Sequence, residues 1–230
     1  MTKRLVVGGW WLVVLALLLF AVGCRTARPV GAPMAGLSAA TAEEAMVQLR
    51  ERRASFSGAR SLMRVRAAAN GKTQSFRAQL VVHDANRMEL IAYTPVGTTA
   101  LTVRAEGDRV SVDNRLEGSE WEGTSAELAR SFGIFGASIP PAEMAMLILG
   151  IPPGESLQGA EAQSLSEQPL RPEASETRRL TYEVTPAGLA RASAADVTVV
   201  FDPPSFPAKN VVVTRGGDRI EIEHLEVVAE

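Results

Sequence analysis

Few side chains in this sequence have the reactivity to carry a chemical argument. Cys24 is the only cysteine among 230 residues, and His83 and His224 are the only histidines. The histidines stand far apart, each inside a run of alternating polar and apolar residues, and Asp84 beside His83 reads as a turn aspartate. No HExxH, GxSxG, CxxC or glycine-rich phosphate loop occurs, so metal, acyl-transfer, redox and phosphoryl chemistry lack their usual side-chain arrangements. The acidic residues are interspersed with arginines, as on solvated strand faces. These features point to a protein that binds rather than catalyses, without a cofactor or a metal.

Cys24 stands at the end of an ordered pattern. Lys3 and Arg4 form a short basic start, an apolar run extends from Leu5 to about Phe20, and Ala21-Val22-Gly23 precede the cysteine. This is the layout of a secretory signal with small residues at its cleavage point. The A-V-G-C ending resembles the lipobox of bacterial lipoproteins. That resemblance implies a signal peptide over residues 1–23, removed before Cys24, with palmitate-type acyl chains carried on Cys24. Two or more chains are implied, since a single one gives only marginal anchoring. The apolar run is also long enough to cross a bilayer, so an uncleaved anchor is the competing reading.

Composition narrows the partners. The chain has 24 basic and 26 acidic residues; losing Lys3 and Arg4 with the leader leaves 22 basic residues and a net charge of −4. With no basic excess, nucleic acid is excluded as a partner. Without a second cysteine no disulfide can form within the chain, so an apolar core must supply the stability. Aromatic residues make up only 5%, and that core must consist of Val, Leu, Ile, Met and Ala.

Residues 24–40 are small and contain Pro and Gly without periodicity, which predicts a lipidated flexible tether. Thr41-Ala-Glu-Glu44 is a capping box that opens a helix to about Arg53, with Ala42, Ala45, Met46 and Leu49 in a stripe. From Phe56 the period becomes two. Strands are expected over Ser61–Ala68, Gln74–His83, Arg87–Tyr93, Thr98–Ala105 and Arg109–Asn114, separated by turn residues. One face of this meander carries Phe76, Leu80, Val82, Leu90, Leu101, Val103, Val110 and Val112, and must be buried by a second layer or by curling. Thr124-Ser-Ala-Glu127 caps a second helix, along which Phe132 and Phe135 follow at helical spacing. Pro140-Pro141 open a third segment, AEMAMLILG, apolar nearly all round and ended by Gly150. After a loop through Pro172, strands resume at Arg178–Val184, Asp196–Phe201, Lys209–Thr214 and Arg219–Val228.

Two apolar features need an explanation. Val96 lies in Tyr93-Thr-Pro-Val-Gly-Thr98, at a turn; it either packs inward or projects as an apolar finger. The Met-rich helix near 141–149 is either core or a lid. The stretch MELIAYTPVGTTALTV, the helical segment IPPAEMAMLILGIPPG and the closing FPAKNVVVTRGGDRIEIEHLEVV together resemble the LolB family of outer-membrane lipoprotein receptors, over roughly residues 40–230. The resemblance implies a mainly β fold with α: a half-open, curved antiparallel β-barrel over residues 41–230, covered by helices, with a lid near 124–150. It also implies an apolar cavity for acyl chains, for which Phe76, Leu80, Val82, Leu90, Leu101, Val103, Met144, Leu147 and Ile148 are the candidate lining. Pro95, Val96 and Gly97 would form the loop that aids membrane insertion, where the family usually has leucine at the position of Val96.

The function implied is reception of acyl chains of other lipoproteins from a LolA-like periplasmic carrier, and their insertion into the outer membrane. The protein would act as a monomer on the periplasmic face of that membrane. Arg25, in place of an aspartate after the lipidated cysteine, agrees with that address. The alternative is an accessory envelope lipoprotein of the same fold that binds a protein partner or a free lipid.

Overall fold

The computed structural model describes residues 31–69, 71–132, 139–152, 180–194 and 196–229. Cys24, Arg25, Phe135 and the expected loop through Pro172 lie outside the described residues. Helix α1 covers Ala42–Ala54 and is followed by β1 (Ala59–Ala69), β2 (Lys72–Asp84), β3 (Arg87–Tyr93), β4 (Thr99–Glu106), β5 (Arg109–Asn114) and β6 (Ser119–Thr124). Then come α2 (Ser125–Phe132), α3 (Pro141–Ile148), β7 (Thr181–Thr185), β8 (Gly188–Ala194), β9 (Val197–Phe201), β10 (Asn210–Arg215) and β11 (Asp218–Ala229).

Among the described residues, eleven strands form one sheet in the order β6-β5-β4-β3-β2-β1-β11-β10-β9-β8-β7. Two meanders join where the first strand pairs with the last. Every pairing is antiparallel, and β6 and β7 remain as edges, so the sheet is curved but not closed. Alternation fixes its faces. Val227, Ser61, Leu80, Leu90, Val103, Val112 and Trp121 stand opposite one another in a single row across β11, β1, β2, β3, β4, β5 and β6. A neighbouring row runs through Ala59, Val82, Met88, Ala105 and Val110. These rows form the inner surface because strand side chains alternate with period two.

The helices cover that surface: α1 packs on β7 and β8, α2 on β5 and β6, and α3 on β2, β3 and β4. Each begins or ends as local chemistry dictates. Thr41 Oγ1 accepts from the Glu44 amide at 3.2 Å, while the Glu44 carboxylate accepts from the Ala40 amide. Thr124 and Glu127 make the full reciprocal box, Glu127 N–H to Thr124 Oγ1 at 3.3 Å and Thr124 N–H to Glu127 Oε2 at 2.8 Å. Helix α3 ends with Gly150 at φ +88°. There the Gly150 amide donates to Leu147 O at 2.8 Å and the Ile151 amide to Met146 O at 3.0 Å, a Schellman closure.

Two strands were not expected from sequence. In β6, Glu120 and Glu122 face outward and only Trp121 packs on the core, so an edge strand presents almost no apolar alternation. In β8 the sequence is GLARASA, poor in β-branched and aromatic residues; it is held in the sheet by burial of Leu189, Ala192 and Ala194. The strand expected over Arg178–Val184 is β7, at Thr181–Thr185.

Residues 31–40, expected as part of a flexible tether, instead lie along the domain. The Ala229 amide donates to Ala32 O at 2.9 Å, and Pro33 bridges to Val228 beyond the point where β10 stops pairing with β11. A Cβ on Gly31 would fall 2.5 Å from Ala229 O, so glycine is needed for this approach. The Arg52 guanidinium donates to Ala35 O and Gly36 O, both at 2.7 Å, and lies 4.7 Å from the centre of the Phe206 ring. Gln48 exchanges two hydrogen bonds with the Ser38 backbone. A small-residue segment has little core to offer, but its carbonyls are accessible, and α1 supplies donors for them.

Candidate functional site

The inner surface of β2–β4 and the helix above it bring together most of the residues singled out by sequence. Leu80, Leu90 and Val103 share one row. Val82 stands in the next row, opposite Met88. Leu101 stands opposite Ala92 on the other side. Phe76 is further along β2, facing Val65. Leu80, Val82, Val103, Met144, Leu147 and Ile148 are buried in one cluster, against which Phe76, Leu90 and Leu101 pack half-buried.

Helix α3 fills the space above these rows. All its side chains except Glu143 are buried, and so are Leu149 and Ile151 just beyond it. The helix is thus enclosed on every side but one position, with Met144, Leu147 and Ile148 packed into the inner cluster. Burial of this kind follows from an all-round apolar sequence. Polar contacts at α3 and its exit come from several elements. Ala208 N–H donates to Leu149 O at 3.3 Å, and Arg53 Nη1 donates to Pro152 O at 3.1 Å while lying 3.5 Å from Met146 Sδ.

A further contact is His224, whose role the sequence reading missed. Its Nε2 lies 3.1 Å from Ile148 O and its Nδ1 lies 2.7 Å from Ser61 Oγ. Burial pushes the imidazole pKa down to about 4, opposed by the bond to Ile148 O. The neutral ring therefore donates from Nε2 to the carbonyl and accepts the Ser61 hydroxyl at Nδ1. Ser61 and His224 are both buried, on β1 and β11. The signal was present in the alternation: Ile220, Ile222 and His224 share one phase, which sets the histidine among inward residues.

Pro95, Val96 and Gly97 form the tip of the β3–β4 hairpin. The Gly97 amide donates to Thr94 O at 2.9 Å, Thr94 N–H to Thr98 O at 2.8 Å, and the two threonine hydroxyls lie 2.8 Å apart. Gly97 has φ +86°, a conformation that favours glycine. Val96 is 85% exposed, so it projects rather than packing inward.

The outer face is chemically different. A cleft of about 880 Å³ there is bordered by Arg87, Glu89, Arg104, Glu106, Arg109 and Glu122. Another, of about 630 Å³, lies among Arg64, Arg66, Glu221 and Glu223. Both are walled by charges of both signs and offer little to an acyl chain. Among the described residues, no group of three or more His, Cys, Asp or Glu side chains could hold a metal ion.

No protein-family model matches the chain, and no curated protein matches it in sequence. Similar solved structures include a LolA superfamily protein from Nitrosomonas europaea, at 9% identity and TM-score 0.45, covering 84% of this chain and 94% of that one. A DUF1329 family protein from Desulfovibrio piger has 10% identity and TM-score 0.48, covering 80% and 91%. A domain assigned to outer membrane lipoprotein sorting, from Vibrio parahaemolyticus, has 10% identity and TM-score 0.47, covering 82% and 93%. At these values no activity is carried over from them to this chain.

Proposed function

We propose that the protein is an envelope lipoprotein, held by lipid on Cys24 at the periplasmic face of the outer membrane. In this reading it receives the acyl chains of other lipoproteins from a LolA-like carrier and helps insert them into that membrane. The observation that carries the proposal is the continuous apolar inner surface of an unclosed sheet, covered by an apolar, buried helix. Acyl chains exposed to water cost about 0.8 kcal/mol per CH₂, so a receptor must offer them a dry surface. In the closed form α3 occupies that surface. Chains enter by displacing α3 from the Leu80–Leu90–Val103 row, exchanging one set of apolar contacts for another, and methionines on the helix adapt to irregular neighbours. Such an exchange needs no hydrolysis, only tighter binding here than in the donor. At the tip of the β3–β4 hairpin, Val96 enters the bilayer during delivery.

The filled interior favours a second reading, an accessory envelope lipoprotein that uses the same fold to hold a protein partner. Native mass spectrometry of the protein purified from its own membranes separates the two. Co-purified lipoprotein or acyl-chain mass, lost when the row is disrupted by Leu90→Asp, is the expected result. An acyl-free protein in a stable complex with another envelope protein would establish the second reading and end the first.

A further inference from the structure

Four large apolar side chains are exposed among the described residues: Val47, Val96, Leu116 and Leu225. Two of them occupy hairpin tips at the same end of the sheet. Val96 tops β3–β4, and Leu116, 71% exposed, tops β5–β6. Strand β4 links the two hairpins: its first residues pair with Tyr93 on one side, and Ala100 O accepts from the Arg115 amide at 2.9 Å on the other. The turns are thus neighbours, and the turns at the other ends of these strands, Ala85-Asn86 and Gly107-Asp108, expose no large apolar side chain.

The second tip is as firmly built as the first. Asn114 Oδ1 accepts from the Leu116 amide at 3.2 Å and the Glu117 amide at 3.4 Å, and Asn114 Nδ2 donates to the Glu117 carboxylate at 2.9 Å. Arg115 pairs with Asp113 at 3.2 Å. Asn114 thus ties the turn together, with Leu116 exposed at its tip.

We propose that Leu116 and Val96 together form a two-point contact with a lipid bilayer, fixing the domain end-on to the membrane. The proposal rests on the reading of Cys24 as a lipid anchor. From Cys24 to Gly31, where the chain joins the domain, an extended backbone reaches at most about 25 Å. A bilayer is therefore always within reach of the domain, whereas a protein partner is not. Gly31 meets Ala229, which is in register with Ala59, at the strand end opposite the two tips.

The test places a tryptophan at each position in the full lipoprotein, reconstituted without cargo in vesicles of phosphatidylethanolamine, phosphatidylglycerol and a brominated lipid. Intact mass is read first, so that an unlipidated Cys24 is told apart from a failure of the tips. Val96→Trp and Leu116→Trp are each expected to shift to the blue and be quenched beyond the background of Trp121, while Asn86→Trp, at the opposite strand end, is not. Unquenched Leu116→Trp overturns the proposal, and equal quenching of Asn86→Trp overturns the end-on orientation. If Leu116→Trp is unquenched in vesicles yet shifts to the blue in native envelopes, the tips belong to a protein partner and the bilayer is excluded. Both sites are exposed, so folding is preserved, and unchanged circular dichroism verifies it.

Discussion

His224 joins three elements through one ring: β11 by its backbone, β1 through Ser61, and the end of α3 through Ile148 O. Burial holds that ring neutral in the folded protein. Because the folded-state pKa is about 4 against an ordinary 6.5, the unfolded chain binds the extra proton first as pH falls. The stabilisation is therefore complete above about pH 6.5 and is lost progressively as pH falls towards 4, up to about 3 kcal/mol. His224→Gln retains an amide donor and does not titrate. Its unfolding free energy, followed by urea denaturation from pH 7 to pH 4, is expected to fall less steeply than wild type by about that amount. Equal slopes would show that burial does not hold the His224 ring neutral in the folded protein. In the sequence this role was half legible. The inward phase of Ile220, Ile222 and His224 could be read, but Ser61 and Ile148 come from distant segments and no local pattern links them. The register shift between Leu62 and Met63, which sets the phase of Val227 and Val228, is equally a property of the pairing.

At the scale of elements, the segment 31–40 departs most from expectation. Composition pointed to a flexible tether there, and no local pattern showed that α1 would bind its carbonyls. Arg52 is the main agent, with its fork on Ala35 O and Gly36 O and its plane near Phe206. Arg52→Ala is expected to lower stability by about 1–2 kcal/mol and to expose the amides of residues 31–40 to hydrogen exchange, with those of β1–β5 unchanged. Protection that persists would mean that the Ala32 and Pro33 contacts to β11 are sufficient alone. The meander β1–β5 was legible because Asn70-Gly71, Asp84–Asn86 and Gly107-Asp108 punctuate clean alternation. The strands β6 and β8 were not, since one is an edge of glutamates and the other is made of small residues whose burial is a tertiary fact.

At the scale of the whole molecule, the two meanders and their helices form one covered sheet, and the fold class follows from the order of periods along the chain. The sequence alone could not show whether the inner surface encloses space or is filled. That depends on the height at which α3 lies, and α3 is buried at every position but Glu143. For the same reason the acyl-cavity candidates include residues indistinguishable by pattern from ordinary core. The geometry of attachment is testable without cargo. Deleting Thr26–Pro29 shortens the reach from Cys24 to Gly31 to about 10 Å. Lipidation is expected to persist by mass while quenching of Leu116→Trp by brominated lipid is lost; inserting a flexible stretch at the same place is expected to restore it. Quenching that survives the deletion would show that the docked segment peels away from α1.

The docking of Gly31 against Ala229 has one further consequence. A lipidated protein on a long free leader can turn in any direction, and its lipid serves only to retain it. With the lipid anchor and the two-tip contact proposed above, a leader fastened at Gly31 would make the acyl chains and the two hairpin tips three feet of a tripod. Three feet would define a plane, and the domain would then present one fixed side away from the membrane.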